Sequence, residues 1–463
     1  MRILLTRKAS IGYTVGGKKT DRKGSAGLKN TFKTLDFEKA MAKPRPKRRN
    51  PVKPNLFWRT LIRLLSIFSL GGSGFTYKTE GLEKIGKKEP CLILMNHSCF
   101  LDMPMAYSIL YPRPLNIVCS SDAFIGMGGF MGWLMYTIGC IPTQKFVTDV
   151  SLIKDMTYCL REKKTSILMY PEASYSFDGK ATPLPRKMGV LLKKLDVPVM
   201  MIETRGAYSR NPLYNELQVR KGVPVSAKAY CLYTREEVRT KSVQELSDGL
   251  DAAFGFDQWR WQQEQGVEIH DDFRADGLSR ILYKCPSCGV EGEMTGKGIH
   301  LSCGHCGKTY ELTPKGYLEA VEGETEFSHV PDWNAWQRQQ VREDILGGRY
   351  KLDVDVDIAV MVDYQAIYWV GSGHLVHDLT GFHLTGCDGR LNYHQSPQTC
   401  YSLYADYYWY EIGDMICIGN NDVRYHCFPK SGDVVAKTRI ATEELYKLYK
   451  SRQLKMPESA NTM

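Results

Sequence analysis

Acidic side chains are nearly missing from the first 54 residues, which hold 16 Lys and Arg against 3 Asp and Glu. The remaining residues sum to −3, so the net charge of +10 comes from this segment. Such a stretch, rich in Gly and Lys and closing on Lys43-Pro44-Arg45-Pro46-Lys47-Arg48-Arg49, predicts a disordered basic arm over 1–54. A secretory core is missing too, because Ile3-Leu4-Leu5 is far too short for one. A disulfide framework is not written into the 14 cysteines: ten are scattered through apolar runs, as in reduced proteins. Long uncharged runs are few, and the stretch 124–142 reaches spanning length. What remains is ordinary: 463 residues, 43% hydrophobic, enough for two or three domains.

The most informative segment is Asn96-His97-Ser98-Cys99-Phe100-Leu101-Asp102, directly after the apolar run Cys91-Leu92-Ile93-Leu94-Met95. An apolar run ending in polar residues predicts a buried strand leaving its sheet, with the polar groups at its carboxyl end. On a regular helix, residues five apart differ by roughly 140°, so His97 and Asp102 need a turn in order to meet. Asp102-Met103-Pro104 predicts a helix N-cap with proline in the first turn. A carboxylate folded back onto the imidazole would fix its tautomer and leave the other ring nitrogen free to take a proton from a hydroxyl. The same residues taken alone also fit a loop histidine beside an ordinary N-cap.

A second segment, Tyr170-Pro171-Glu172-Ala173-Ser174-Tyr175-Ser176, follows another apolar run, Ile167-Leu168-Met169. Together the two resemble the glycerolipid acyltransferase superfamily, whose first block is Asn-His-(four residues)-Asp and whose third is Phe-Pro-Glu-Gly-Thr-Arg-Ser. The family's second block resembles Gly139-Cys140-Ile141-Pro142-Thr143-Gln144-Lys145, and its fourth resembles Val197-Pro198-Val199, preceded by Lys187-Met188-Gly189. The resemblance covers about residues 55 to 240. It implies an α/β fold: a core of mixed sheet flanked by helices. It also implies direct transfer from a thioester, acyl-CoA or acyl carrier protein, to a free hydroxyl. His97 would be the general base and Asp102 its orienting carboxylate; Lys145, Glu172, Ser174 and Lys187 would line the acceptor site. The implied reaction converts 1-acylglycerol-3-phosphate to phosphatidic acid in phospholipid synthesis. Two departures bear on phosphate recognition: Ala173-Ser174-Tyr175 stands in place of Gly-Thr-Arg, and Lys145 in place of arginine. Arginine grips phosphate through a planar fork, whereas lysine is a point charge and tyrosine offers one hydroxyl. The alternatives are another lyso-lipid or glycolipid acceptor, or a non-catalytic scaffold. Ser98 reads as a loop residue and Cys99 as a small hydrophobe.

Residues 56–70 are apolar with Arg59, Arg63 and Ser66 at helical spacing on one face. They predict an amphipathic helix, within 55–75, that lies in a membrane interface, packs on the catalytic domain, or does both. The family also docks on membranes through apolar N-terminal helices. The implied location is cytoplasmic, peripheral on the inner face of the membrane. The stretch 124–142 lies between two blocks that share one site, so it is expected to be buried or to floor the acyl-chain groove.

The acyltransferase resemblance stops near residue 240, giving an expected domain over 76–250, and 257–276 predicts a helical linker. Cys285-Pro286-Ser287-Cys288 and Cys303-Gly304-His305-Cys306 then form two Cys-x-x-Cys pairs. Four thiolates at this spacing predict a tetrahedral structural zinc site, a zinc ribbon over 280–312, with His300 and His305 as possible substitute ligands. A closed site of this kind performs no chemistry. Basic residues are few there, Lys297 being opposed by Glu291 and Glu293, so no nucleic-acid partner is expected and a structural or protein-binding module is preferred.

Toward the carboxyl end, Leu352, Val354, Val356, Ile358 and Val360 alternate with Asp353, Asp355 and Asp357, which predicts a half-buried strand. Further strands are expected over 366–370, 401–410 and 415–418, then a helix over 442–454, in a β-rich domain spanning 345–455. His374, His377, His383 and His394 match no ligand template.

Overall fold

In the computed structural model of the chain, the described residues are 11–15, 18–22, 32–126, 129–410 and 412–454. The predicted buried strand forms as Leu92–Met95, every residue of it buried. It lies at the centre of a seven-stranded sheet whose spatial order is Thr76–Glu80, Ser226–Tyr233, Val199–Arg205, Leu92–Met95, Ser166–Met169, Leu115–Ser120 and Cys140–Thr143. All neighbours are parallel except Ser226–Tyr233 with Val199–Arg205, so the sheet is mixed. Central parallel strands are buried on both faces, which is why Leu92-Ile93-Leu94 is continuous rather than alternating. Register sets Leu92 against Ile167 and Val199. The first and third blocks therefore leave neighbouring strands at the same, carboxyl end.

Met294–Lys297, His300–Cys303, Thr309–Leu312 and Leu318–Ala320 form a four-stranded antiparallel sheet beside the cysteine pairs. The carboxyl region forms a second large sheet, ordered Leu391–Gln395, Gly381–Gly386, Ile367–Asp378, Leu352–Met361, Arg424–Pro429, Gly413–Gly419 and Tyr404–Trp409. The alternation in Leu352–Met361 is as predicted: its valines point inward and Asp353 and Asp355 outward. The final helix starts earlier than expected, at Val435, and runs to Lys450.

Several expectations are corrected. The basic arm is folded over residues 32–54: Phe32–Thr34 adds a parallel strand to Ile367–Asp378, and Phe37–Met41 is a helix capped by Asp36. Phe37 and Ala40 are buried there, Arg48 pairs with Asp155, and the Val52 carbonyl accepts from Asn116 Nδ2 at 2.9 Å. The antiparallel hairpin Ile11–Val15 with Lys18–Arg22 also falls in this region. Apolar anchors and paired charges override the composition. The expected linker is helical over Gln258–Glu264 but packs into the protein: Trp259 is buried against Tyr208 and Tyr214 and donates to the Asp178 carbonyl at 2.7 Å.

Stretch 124–142 folds into a short helix, Phe130–Thr137, and the strand Cys140–Thr143; Met127 and Gly128 lie outside the described residues. Rather than being wholly buried, it exposes Phe130 and 51% of Trp133. Among the described residues, no helix is long and apolar enough to cross a membrane.

Candidate active site

The strand Leu92–Met95 ends where the helix Asp102–Leu110 begins, and the intervening loop folds His97 onto Asp102. Asp102 is the first residue of the helix, one place inside the N-cap position predicted for it. Its carboxylate turns back to the loop: Oδ2 accepts from the amides of Ser98 at 2.6 Å and Cys99 at 3.1 Å and lies 2.8 Å from His97 Nδ1. Held this way, Asp102 fixes Nδ1–H as the donor and keeps the tautomer that leaves Nε2 a bare acceptor. Asp102 Oδ1 is buried without a hydrogen bond. The His97 side chain keeps 23% exposure, against 1% for Asp102. Nε2 has no hydrogen-bond partner among the described residues. Burial pushes the His97 pKa below its usual value; contact with Asp102 raises it and the Lys145 charge lowers it further.

The third block wraps around this pair. Tyr170 stacks on the imidazole at 4.2 Å and Tyr175 lies across it at 4.2 Å, with Phe100 5.6 Å from Tyr175. Glu172 is fully buried: Oε1 accepts from the His97 amide at 2.9 Å and Oε2 from the Thr182 amide at 2.8 Å. Burial pushes its carboxyl up to about 8, while the two amides and Arg439 pull toward the charged form. Ala173 takes φ 55°, the left-handed region, at the position where the family pattern has glycine. Gly139 of the second block has φ 89°, and a Cβ there would come within 2.9 Å of Pro54.

Lys145 Nζ sits 4.1 Å above the Tyr404 ring, and the Tyr404 hydroxyl donates to Asp122 Oδ2 at 2.7 Å. Burial pushes Asp122 up, but Lys145 and the Ser120 and Tyr404 hydroxyls outweigh it and hold the carboxyl below its ordinary value. Asp406, on the same strand as Tyr404, is pushed by burial up to about 7, opposed by Lys145. The carboxyl-terminal sheet thus walls the second block, an arrangement no linear motif reveals.

His97, Asp102 and Glu172 are brought into direct contact. Ser174 lies beside them, but its Oγ donates to the Tyr175 carbonyl at 3.0 Å and is buried. Glu172 and Ser174, expected as acceptor ligands, make their hydrogen bonds within the protein: Glu172 to the amides of His97 and Thr182, Ser174 to the Tyr175 carbonyl and Arg439. Lys187 stands exposed at the start of the Met188–Leu195 helix and joins none of these contacts. Cys99 is buried and burial pushes its thiol well up, which suits a packing residue rather than a nucleophile.

The four cysteines Cys285, Cys288, Cys303 and Cys306 place their sulfurs within 4.8 Å of one another. Cys285 and Cys306 are 3.7 Å apart, and Cys288 and Cys303 3.8 Å. Four sulfurs each about 2.3 Å from a shared tetrahedral centre would be about 3.8 Å apart, so this group can hold a metal. The Lys308 amide points at Cys306 and holds its thiol below the ordinary value, while at Cys288 the Val290 amide is outweighed by burial and the neighbouring thiols, which raise it. Neither His300 nor His305 belongs to the group.

Residues 76–202 match the acyltransferase family profile. They form an acyltransferase domain of the glycerolipid acyltransferase superfamily, on an α/β core that the four-cysteine group and a β-rich carboxyl region accompany. The chain is 28% identical over 150 residues to a chloroplastic 1-acyl-sn-glycerol-3-phosphate acyltransferase of Brassica napus, covering 30% of this chain and 41% of that protein. It is 23% identical over 131 residues to the human 1-acyl-sn-glycerol-3-phosphate acyltransferase beta, covering 28% and 46%. The chain thus spans less than half the length of these relatives. The crystal structure of the Thermotoga maritima 1-acyl-sn-glycerophosphate acyltransferase PlsC aligns with a TM-score of 0.31 at 17% identity, over 41% of this chain and 79% of that one.

Proposed function

We propose that the chain is a peripheral membrane acyltransferase that moves a fatty acyl group from a thioester, acyl-CoA or acyl carrier protein, to the free hydroxyl of a lyso-lipid. One observation carries this reading: His97 Nδ1 lies 2.8 Å from Asp102 Oδ2 while the opposite ring nitrogen has no hydrogen-bond partner among the described residues and the side chain keeps access to solvent. In the proposed step, His97 Nε2 takes the proton of the acceptor hydroxyl as its oxygen bonds to the thioester carbonyl carbon. Collapse of the tetrahedral adduct breaks the C–S bond, and the imidazolium returns the proton to the departing sulfur. Asp102 stabilises the imidazolium between the two transfers.

The names of the relatives support 1-acylglycerol-3-phosphate as acceptor and phosphatidic acid as product. A second acceptor, another lyso-lipid or a glycolipid, is favoured by the setting of Lys145, whose charge lies against the Tyr404 ring and acts on the carboxyls of buried Asp122 and half-buried Asp406. A phosphomonoester would find one lysine there and no arginine fork.

In this reading the protein docks on an anionic bilayer at the cytoplasmic face, and the Leu56–Leu70 helix supports the docking. It turns its polar stripe inward, Arg63 donating to Ser108 Oγ at 2.8 Å and Arg59 to the Pro112 carbonyl at 2.5 Å. Its apolar face points out, with Phe57 66% and Phe68 70% exposed. Trp133 continues that face 6.3 Å from Trp58, and the basic residues 43–49 precede it. We assign the four thiolates to a structural zinc ion that leaves no open coordination position.

The deciding assay uses full-length protein, labelled oleoyl-CoA and a panel of lyso-lipids that includes 1-oleoylglycerol-3-phosphate. Product should form with at least one acceptor and fall by at least about 10³-fold in His97→Ala. Equal turnover by that variant would overturn the assignment.

A further inference from the structure

The carboxyl-terminal helix reaches into the catalytic loop. Arg439 lies on Val435–Lys450 and is only 5% exposed. Its Nη2 donates to Thr182 Oγ1 at 3.1 Å, Nη1 to Ser174 Oγ at 3.5 Å and Nε to Glu443 Oε1 at 3.3 Å, while the guanidinium lies 3.9 Å above the Phe177 ring. Glu443 is itself buried, accepts from Ser402 Oγ at 2.7 Å and lies 2.8 Å from Arg338 Nη2. A charge taken out of water is costly unless it is paired and hydrogen-bonded, and here the pairing joins two distant parts of the chain. With its edges and one face occupied in this way, the guanidinium is committed to the protein rather than offered to a head group. A lysine, having one point of charge, could not reproduce that fork.

Thr182 is the pivot. Its hydroxyl accepts from Arg439, and its amide donates to Glu172 Oε2 at 2.8 Å; Glu172 Oε1 takes the amide of His97 at 2.9 Å. The loop held at both ends by these bonds carries Tyr175, and Tyr170 lies two residues before it, so both rings that enclose the imidazole depend on its position.

We propose that Arg439 is a positioning residue for acyl transfer: from the carboxyl-terminal helix it locks the 172–182 loop, where residues 173–175 carry no arginine of their own, and so fixes His97 between Tyr170 and Tyr175. This rests on the reading of His97 as general base.

Arg439→Gln, Arg439→Lys and Thr182→Val, made in the full chain, test it with oleoyl-CoA and the lyso-lipid panel. Arg439→Gln should lower kcat about 10- to 100-fold, with KM for the lyso-lipid changing less than about threefold, because a small misplacement of a catalytic group costs rate rather than binding. Arg439→Lys should recover only a minor part. Thr182→Val keeps the amide to Glu172 and loses the hydroxyl, so combining it with Arg439→Gln should add little to the worse single change. A readout that needs no acceptor is carbethoxylation of His97 by diethyl pyrocarbonate, assigned with His97→Ala. Loosening the loop should speed it severalfold in Arg439→Gln and Thr182→Val alike. If Arg439→Gln does not fold, the other two variants carry both readouts. Unchanged kcat with unchanged His97 modification, or a loss confined to KM, overturns the proposal. Full turnover by His97→Ala would instead remove the general-base reading, and the modification rates would then decide the role of Arg439 alone.

Discussion

His97 works against two opposing neighbours, Asp102 raising its proton affinity and Lys145 lowering it, with burial already favouring the neutral ring. The base must be neutral to accept a proton, so kcat/KM should rise with pH along an acid limb that lies below the usual histidine value of about 6.5. Lys145→Met removes a charge that disfavours the imidazolium. The limb should therefore move to higher pH, which a pH–rate profile reads directly. Asp102→Asn keeps an oxygen for the Ser98 and Cys99 amides but no longer stabilises the imidazolium. Its kcat should fall by on the order of 10³-fold with the fold retained by circular dichroism. The base and its carboxylate were legible because their order and spacing follow local backbone geometry. Arg439 was not: it meets Thr182 through a separation of 257 residues, and nothing in its own sequence neighbourhood marks it.

At the level of elements, the Leu56–Leu70 helix shows how one pattern supports two outcomes. The amphipathic stripe was visible in the sequence, but which stripe faces the protein was not. Arg59 and Arg63 turn out to lie against the Asp102–Leu110 helix and its end, since their donors find Pro112 and Ser108, while buried Ser66 bonds back to the Ile62 carbonyl of its own helix. Phe57→Ser with Phe68→Ser should leave the thermal transition unchanged, both rings being exposed. Losing two aromatic anchors of about 2–3 kcal/mol each should weaken co-sedimentation with anionic liposomes by more than tenfold. Unaltered co-sedimentation would count against docking through this face. The carboxyl-terminal helix teaches the converse. Its first turns, 435–441, fall outside the expected 442–454 because Thr438 and Arg439 look like surface residues, yet both are buried, and Arg439 joins Glu443 and Arg338 in an ion-pair cluster.

Across the whole molecule, the three larger sheets share packing. One continuous core joins Phe177, Tyr208 and Tyr214 beside the acyltransferase sheet to Leu301 and Tyr310 of the four-stranded sheet and to Val356, Leu384 and Ile416 of the carboxyl-terminal one. The cysteine cluster is tied into this core, because the Trp333 indole donates to the Lys284 carbonyl at 2.9 Å and the Lys284 amide to Gln337 at 3.0 Å. The helix bearing Trp333 and Gln337 also bears Arg338, the partner of Glu443. Chelation should therefore lower Tm and transfer activity together rather than unfold a detached module, and scanning calorimetry with metal analysis checks this. A stoichiometry near one zinc per chain is the expected content.

The sequence by itself determined the parts governed by short spacing. These are the strand-end His97 and Asp102, the four-cysteine group, and the alternation that makes Leu352–Met361 a half-buried strand. Each depends on backbone geometry within a few residues or on a spacing one ligand set imposes. Only the tertiary structure decided that Glu172 clamps the His97 amide, that Tyr404 covers Lys145, and that Arg439 fastens the catalytic loop. Those contacts join residues far apart in the chain, and their energies come from burial and pairing that exist only once the sheets have packed together.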